Sequence, residues 1–178
     1  MIDLAQKCIE KVYFKKNYEY FKEKSGEKVE YLERLSELIK SMCDDVIVYD
    51  AEDDPAIEIW IKYKKYRKND FIVDYKTVLK ISKVADLFVF QHEFSIDNKD
   101  PNRIAPVLDG FGGEAYTFSQ YELEDIITNF LIDKKLKKLE MSELDEVIPN
   151  LEMPEETIFG KNMTLENALF RDLYEICK

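Results

Sequence analysis

The sequence predicts an α+β fold: an N-terminal helix pair, a central antiparallel meander of four to five strands, and C-terminal helices packed on one sheet face. Three observations predict it. Apolar residues recur at helical spacing over the first 43 residues, alternate with polar ones through the middle of the chain, and return to helical spacing from Phe118 onward. The composition suits a packed core. Of 178 residues, 46% are hydrophobic and 13% aromatic, and five Gly and five Pro leave little room for linkers, so one domain over 1–178 is expected.

Ala5, Cys8, Ile9 and Val12 fall on one helical face, which Tyr18 and Phe21 continue. Gly26 signals a stop, with Ser25 placed to cap the next helix. That helix carries Val29, Leu32, Leu35, Leu38, Ile39 and Met42 on one side, giving an antiparallel pair joined by a tight turn. From 45 the period changes to two. A β-branched run at 45–50 precedes Ile57, Ile59, Ile61 and Tyr63, which alternate with Glu58, Trp60, Lys62 and Lys64. Further strands are expected over 71–82 and 87–96, and strand content is expected to end near Ile96. Short polar turns without intervening helices imply antiparallel pairing.

The stretch 97–117 has no period and holds two of the five prolines and three of the five glycines. It reads as an ordered crossover in which Ile104, Val107, Leu108 and Phe111 plug the core; the alternative is a loop that contacts a partner. Ser119 and Glu122 then have capping-box spacing, Phe118 and Leu123 staple spacing, and Leu123, Ile126, Ile127, Phe130 and Leu131 form a stripe. A short helix is expected from Ser142 to before Pro149. A last one starts at Thr164 as cap and runs through Leu165, Ala168, Leu169, Leu173 and Ile176. The sheet should be covered on one face and partly open on the other.

The catalytic inventory is small. The single histidine, His92, shares a strand face with Phe88, Phe90 and Phe94 and reads as a packed, hydrogen-bonded side chain. One histidine excludes paired-His zinc motifs, and neither a P-loop nor a Gly-x-Ser-x-Gly elbow is present. Gly110, Gly112 and Gly113 do not form a dinucleotide fingerprint, and Lys99 and Pro101 break a calcium-loop pattern. Cys8, Cys43 and Cys177 are too few and too widely spaced for a disulfide framework and read as reduced thiols. Charges interrupt the first residues every few positions, unlike an export signal, and no apolar run is long enough to span a bilayer. The expectation is a cytoplasmic protein that is not an enzyme, without cofactor or metal.

The net charge of −11 is uneven: residues 1–43 hold nine Lys/Arg against eight Asp/Glu, so the other 135 carry about −12. Such a balance disfavours nucleic acid and suits a basic protein partner, which it would steer electrostatically. Two segments carry acid without base. The first has Asp44, Asp45, Asp50, Glu52, Asp53, Asp54 and Glu58; the second has Glu140, Glu143, Asp145, Glu146, Glu152, Glu155 and Glu156. The candidate binding residues are Asp44, Asp45, Asp50, Glu52, Asp53 and Asp54, with Trp60, Asp109, Phe111 and Tyr116 as aromatic anchors and their neighbour.

The small size, low Gly and Pro, and high Lys, Ile, Tyr and Phe resemble, in profile only, the immunity proteins that protect bacteria from toxins. That resemblance implies a cytosolic module neutralising a basic partner. Two other readings stand beside it. One is a Mg-dependent phosphodiesterase of loose PD-(D/E)xK pattern, using Asp54, Asp74 and Lys76. The other is a structural or adaptor protein of a phage or mobile element that oligomerises through an uncovered sheet face.

Overall fold

The computed structural model describes residues 3–102, 108–153 and 160–171. The α+β class and the central antiparallel meander are both present. The elements, in chain order, are α1 (Asp3–Ile9) with a π turn (Glu10–Phe14), α2 (Tyr18–Ser25), α3 (Leu32–Lys40), β1 (Asp45–Tyr49), β2 (Ala56–Lys62), β3 (Tyr66–Lys68), β4 (Phe71–Ser82) and β5 (Leu87–Asn98). They continue with β6 (Leu108–Gly112), α4 (Phe118–Asp133), β7 (Lys137–Leu139), a 3-10 turn (Met141–Glu143), β8 (Val147–Glu152), β9 (Asn162–Thr164) and α5 (Leu165–Phe170). The main sheet has the order β1-β2-β4-β5-β6, with β3 added to β4 and β7 running parallel to β5; β8 and β9 form a separate hairpin.

Strand alternation sorts the sheet into two faces. Ile57, Ile59 and Ile61 of β2 lie opposite Ile81, Leu79 and Thr77 of β4, which in turn face Phe88, Phe90 and His92 of β5. Leu35 and Ile39 of α3 and Leu123, Ile127 and Leu131 of α4 bury this face. Among the described residues the opposite face is covered only at one end, where Ala56, Leu87 and Val89 meet α1, α2 and α5. Lys83 clamps that end. Its ammonium donates to the carbonyls of Ser25 and Ala51 at 3.0 and 2.9 Å and pairs with Asp50 at 2.7 Å. The other end of this face is open and holds Trp60, Lys76, Glu93 and Phe111 on neighbouring strands, with Lys76 opposite Glu93 and Glu93 opposite Phe111.

Several local expectations change. Strand content does not end at Ile96, since four more strands follow. At Gly110 of β6 a Cβ would sit 2.7 Å from the Phe94 ring, so glycine lets that ring lie across the edge strand as it does. Leu108 and Phe111 do not plug the core, both being strongly exposed, while Ile104 and Val107 lie outside the described residues. Ser25 caps no helix; its hydroxyl donates to the Phe21 carbonyl, and the next helix starts later, at Leu32. The segment after Ser142 is a single 3-10 turn followed by β8, which accommodates Pro149 in a two-stranded ladder with irregular register. Thr164 caps α5 as expected, through the Asn167 N–H; Leu173, Ile176 and Cys177 lie outside the described residues.

Candidate functional site

β6 and β7 both pair with β5 on the side away from β4, and a buried polar chain runs beneath the gap between them. His92 is 0% exposed and lies parallel to Phe90, with centroids 6.1 Å apart. Its Nε2 is 2.8 Å from Glu124 Oε2 and its Nδ1 is 2.9 Å from Thr77 Oγ1. A carboxylate only accepts, so Nε2 donates to Glu124. In the neutral ring Nδ1 then accepts from Thr77, whose oxygen lies 3.2 Å from the Tyr63 hydroxyl. Lys138 donates to the other Glu124 oxygen at 2.7 Å. Every group in the chain has a partner, as a buried polar network requires.

Burial raises the Glu124 pKa, but hydrogen bonds from His92 and Lys138 and their charge outweigh it and hold the carboxyl below its ordinary range. Glu166 is likewise raised by burial and more strongly lowered by Lys80 and Arg171. A carboxyl with a depressed folded pKa stabilises the fold above its unfolded value and loses that contribution as pH falls through the folded one. Stability should therefore drop as pH falls below about 4.5. Urea unfolding of Glu124→Gln/Glu166→Gln between pH 7 and pH 3 should show a shallower loss than the parent; parallel curves would refute the assignment.

Outward, Glu124 opens onto a hollow of about 660 Å3 that Tyr116, Phe118, Tyr121, Lys138 and Glu140 also line. Phe118 is 87% exposed and Tyr121 63%. Their three-residue spacing puts both rings on one side of α4. The helix start is fixed by a capping box two residues ahead of the expected one: Thr117 accepts from the Gln120 N–H and Gln120 from the Thr117 N–H. The buried Gln120 amide also donates to the Lys76 carbonyl at 3.1 Å, anchoring the helix end to β4. Phe118 is thus the first helical residue and packs under nothing described, so the expected staple with Leu123 does not form. Tyr116 packs edge-on against Phe94 at 4.8 Å.

The candidates from the sequence divide between three places. Asp45 pairs with Lys62 and Asp50 with the clamp Lys83, so both are already neutralised within the fold. Asp44 is exposed where α3 leads into β1, Glu52 and Asp53 are exposed in the β1–β2 turn, and Asp54 lines a shallow hollow with Tyr49, Glu58 and Trp60. Trp60, Asp109 and Phe111 share the open sheet face, while Tyr116 stands at the rim of the α4 hollow. The second acidic segment contributes Glu140 to that rim; Glu155 and Glu156 lie outside the described residues. Asp54 and Asp74 do not converge. Ala56 is opposite Ser82, eight residues along β4 from Asp74, which separates them by roughly 26 Å at strand rise. Asp74 pairs instead with Lys65 and Lys76 with Glu93.

Phe118, Tyr121, Glu124 and Lys138 are the site residues that reading by segment misses. One signal points to most of them: from 104 to 133 the chain has six acidic residues and no Lys or Arg, interleaved with Phe111, Tyr116, Phe118, Tyr121 and Phe130. Among the described residues no helix is long and apolar enough to cross a membrane. Comparison with known proteins finds no matching family, no matching curated relative and no matching solved structure.

Proposed function

We propose that this chain is a binding module for a basic protein, which it engages through the aromatic, acid-rimmed surface of the 113–117 turn and the first turns of α4. One observation carries the reading. Phe118 and Tyr121 are exposed together at the start of α4 and line one hollow with Glu114, Glu124 and Glu140, on a stretch from 104 to 133 that carries no Lys or Arg. Exposed apolar surface of this kind marks interaction sites, and aromatics are the residues that most often anchor them. The carboxylates select a cationic partner and speed its approach. The acidic segment 44–58 is a weaker candidate, because Lys62 and Lys83 already answer Asp45 and Asp50. The open sheet face is weaker too, since Lys65, Lys76 and Lys62 pair with acids across it. In a reducing cytoplasm the biological setting is sequestration of a basic toxin or effector, as the immunity-type profile suggests.

The test uses the product of the neighbouring gene as first bait in a pull-down, followed by calorimetry on the purified pair. Binding should weaken steeply with salt. Phe118→Ala/Tyr121→Ala should weaken it at least about tenfold, the effect of losing two aromatic anchors. Asp53→Lys/Asp54→Lys should change it by less than about threefold. A partner without excess positive charge, or an affinity indifferent to both salt and the aromatic pair, defeats the reading.

A further inference from the structure

The geometry points to a single arginine side chain of the partner as the occupant of the hollow between Phe118, Tyr121 and Glu124. This rests on the reading of a basic protein partner and specifies which group that partner inserts. Glu124 spends one acceptor direction of Oε2 on His92 and one of Oε1 on Lys138. A carboxylate offers about four such directions, so one remains on each oxygen, which two N–H donors of a guanidinium could fill. The side chain is 15% exposed, and that exposed part faces the hollow.

The carboxylate is also held still. His92 is fixed by stacking on Phe90 and by Thr77, so Glu124 needs no reorganisation to receive a guest. Its charge is retained by the same contacts, which keep the carboxyl ionised to lower pH than usual. The walls suit a flat cation: Phe118 and Tyr121 present exposed rings, and guanidinium stacks on aromatic faces where a hydrated ammonium does so less readily. Glu140 completes the set. It lies 3.8 Å from Lys138 with its side chain 66% exposed, and adds a second carboxylate at the rim. Glu114, Glu124 and Glu140 against Lys138 leave the hollow with a net charge of −2. A lysine of the partner would instead duplicate Lys138, whose ammonium already occupies the point-charge position beside Glu124.

The experiment is NMR titration of the full chain with two peptides, Gly-Arg-Gly-Arg-Gly and Gly-Lys-Gly-Lys-Gly. The arginine peptide should shift the resonances of Phe118, Tyr121, Glu124 and Lys138 and bind at least about fivefold more tightly than the lysine peptide. Glu124→Gln, which keeps an oxygen acceptor for His92, should weaken it about tenfold with the thermal unfolding profile still cooperative. Phe118→Ala, an exposed position, should weaken it about fivefold without affecting the fold. Equal binding of the two peptides, shifts confined to the β1–β2 turn or to Trp60, or no binding of either peptide at millimolar concentration would overturn the inference. In each of those cases the basic-partner reading still stands or falls separately, on the salt dependence and the Phe118/Tyr121 sensitivity of the whole partner.

Discussion

Phe90→Ala should destabilise the fold by about 3–5 kcal/mol. Phe90 is almost completely buried on the central strand β5, opposite Leu79. It meets Phe88 edge-on at 5.8 Å and carries the His92 ring on its other side. Removing it opens a cavity between α4 and the sheet and takes away the surface on which His92 is stacked. For a chain of this length the cost corresponds to a fall in Tm on the order of 10 °C. Phe90→Leu, which keeps most of the volume, should cost less than about 1.5 kcal/mol. Phe111→Ala, on the exposed edge, should stay within about 0.5 kcal/mol. Chemical denaturation of the three variants orders them, and a Phe90→Ala cost below that of Phe111→Ala would show that the core is not where the burial places it.

The contrast between Phe90 and Phe111 also shows how far the sequence could be read. Strands β2, β4 and β5 are legible because each alternates, and the burial of Ile57, Ile59 and Ile61 repeats that alternation residue by residue. Strand β6 is not legible. "LDGFG" has neither β-branched residues nor a clear period, and its Gly110 makes room for a ring sixteen positions earlier in the chain. The start of α4 fails for a different reason. Thr117 with Gln120 and Ser119 with Glu122 both have the Ser/Thr-x-x-Glu/Gln spacing, so local chemistry leaves the choice open. The contact from Gln120 to Lys76, 44 positions away, decides it. The fold's outline is written in local periodicity, whereas its edges and caps depend on pairings of that range.

The site is less legible still. His92, Glu124 and Lys138 are separated by 32 and 14 positions, and none of the three stands in a recognisable spacing with another. Acidic windows drew attention to 44–58, where the fold answers Asp45 and Asp50 with its own lysines. What distinguishes an available carboxylate from a neutralised one is the base that tertiary structure brings to it, and a count along the chain does not contain that information.

Glu124→Ala should cost about 2–3 kcal/mol, far more than a surface glutamate, because it strands two donors at once. The Nε2–H of His92, wholly buried, loses its acceptor, and Lys138 keeps a partly buried ammonium with only the 3.8 Å contact to Glu140. Glu124→Gln retains an amide oxygen for His92 but turns its NH2 toward Lys138, so it weakens one contact and loses the other and should cost about 1–2 kcal/mol, less than the alanine. The decisive comparison is a double-mutant cycle with His92→Leu. If the two side chains stabilise each other, His92→Leu/Glu124→Ala should be less destabilised than the sum of the single variants by at least about 1 kcal/mol, since the donor and its acceptor leave together. Additive costs would mean that Glu124 is held by Lys138 alone and that the buried chain from Tyr63 outward does not reach it. The same cycle bears on binding. Glu124→Gln loses the charge that a guanidinium would meet while keeping the His92 contact, so a variant that still folds yet binds arginine poorly separates the carboxylate's role in the surface from its role in the core.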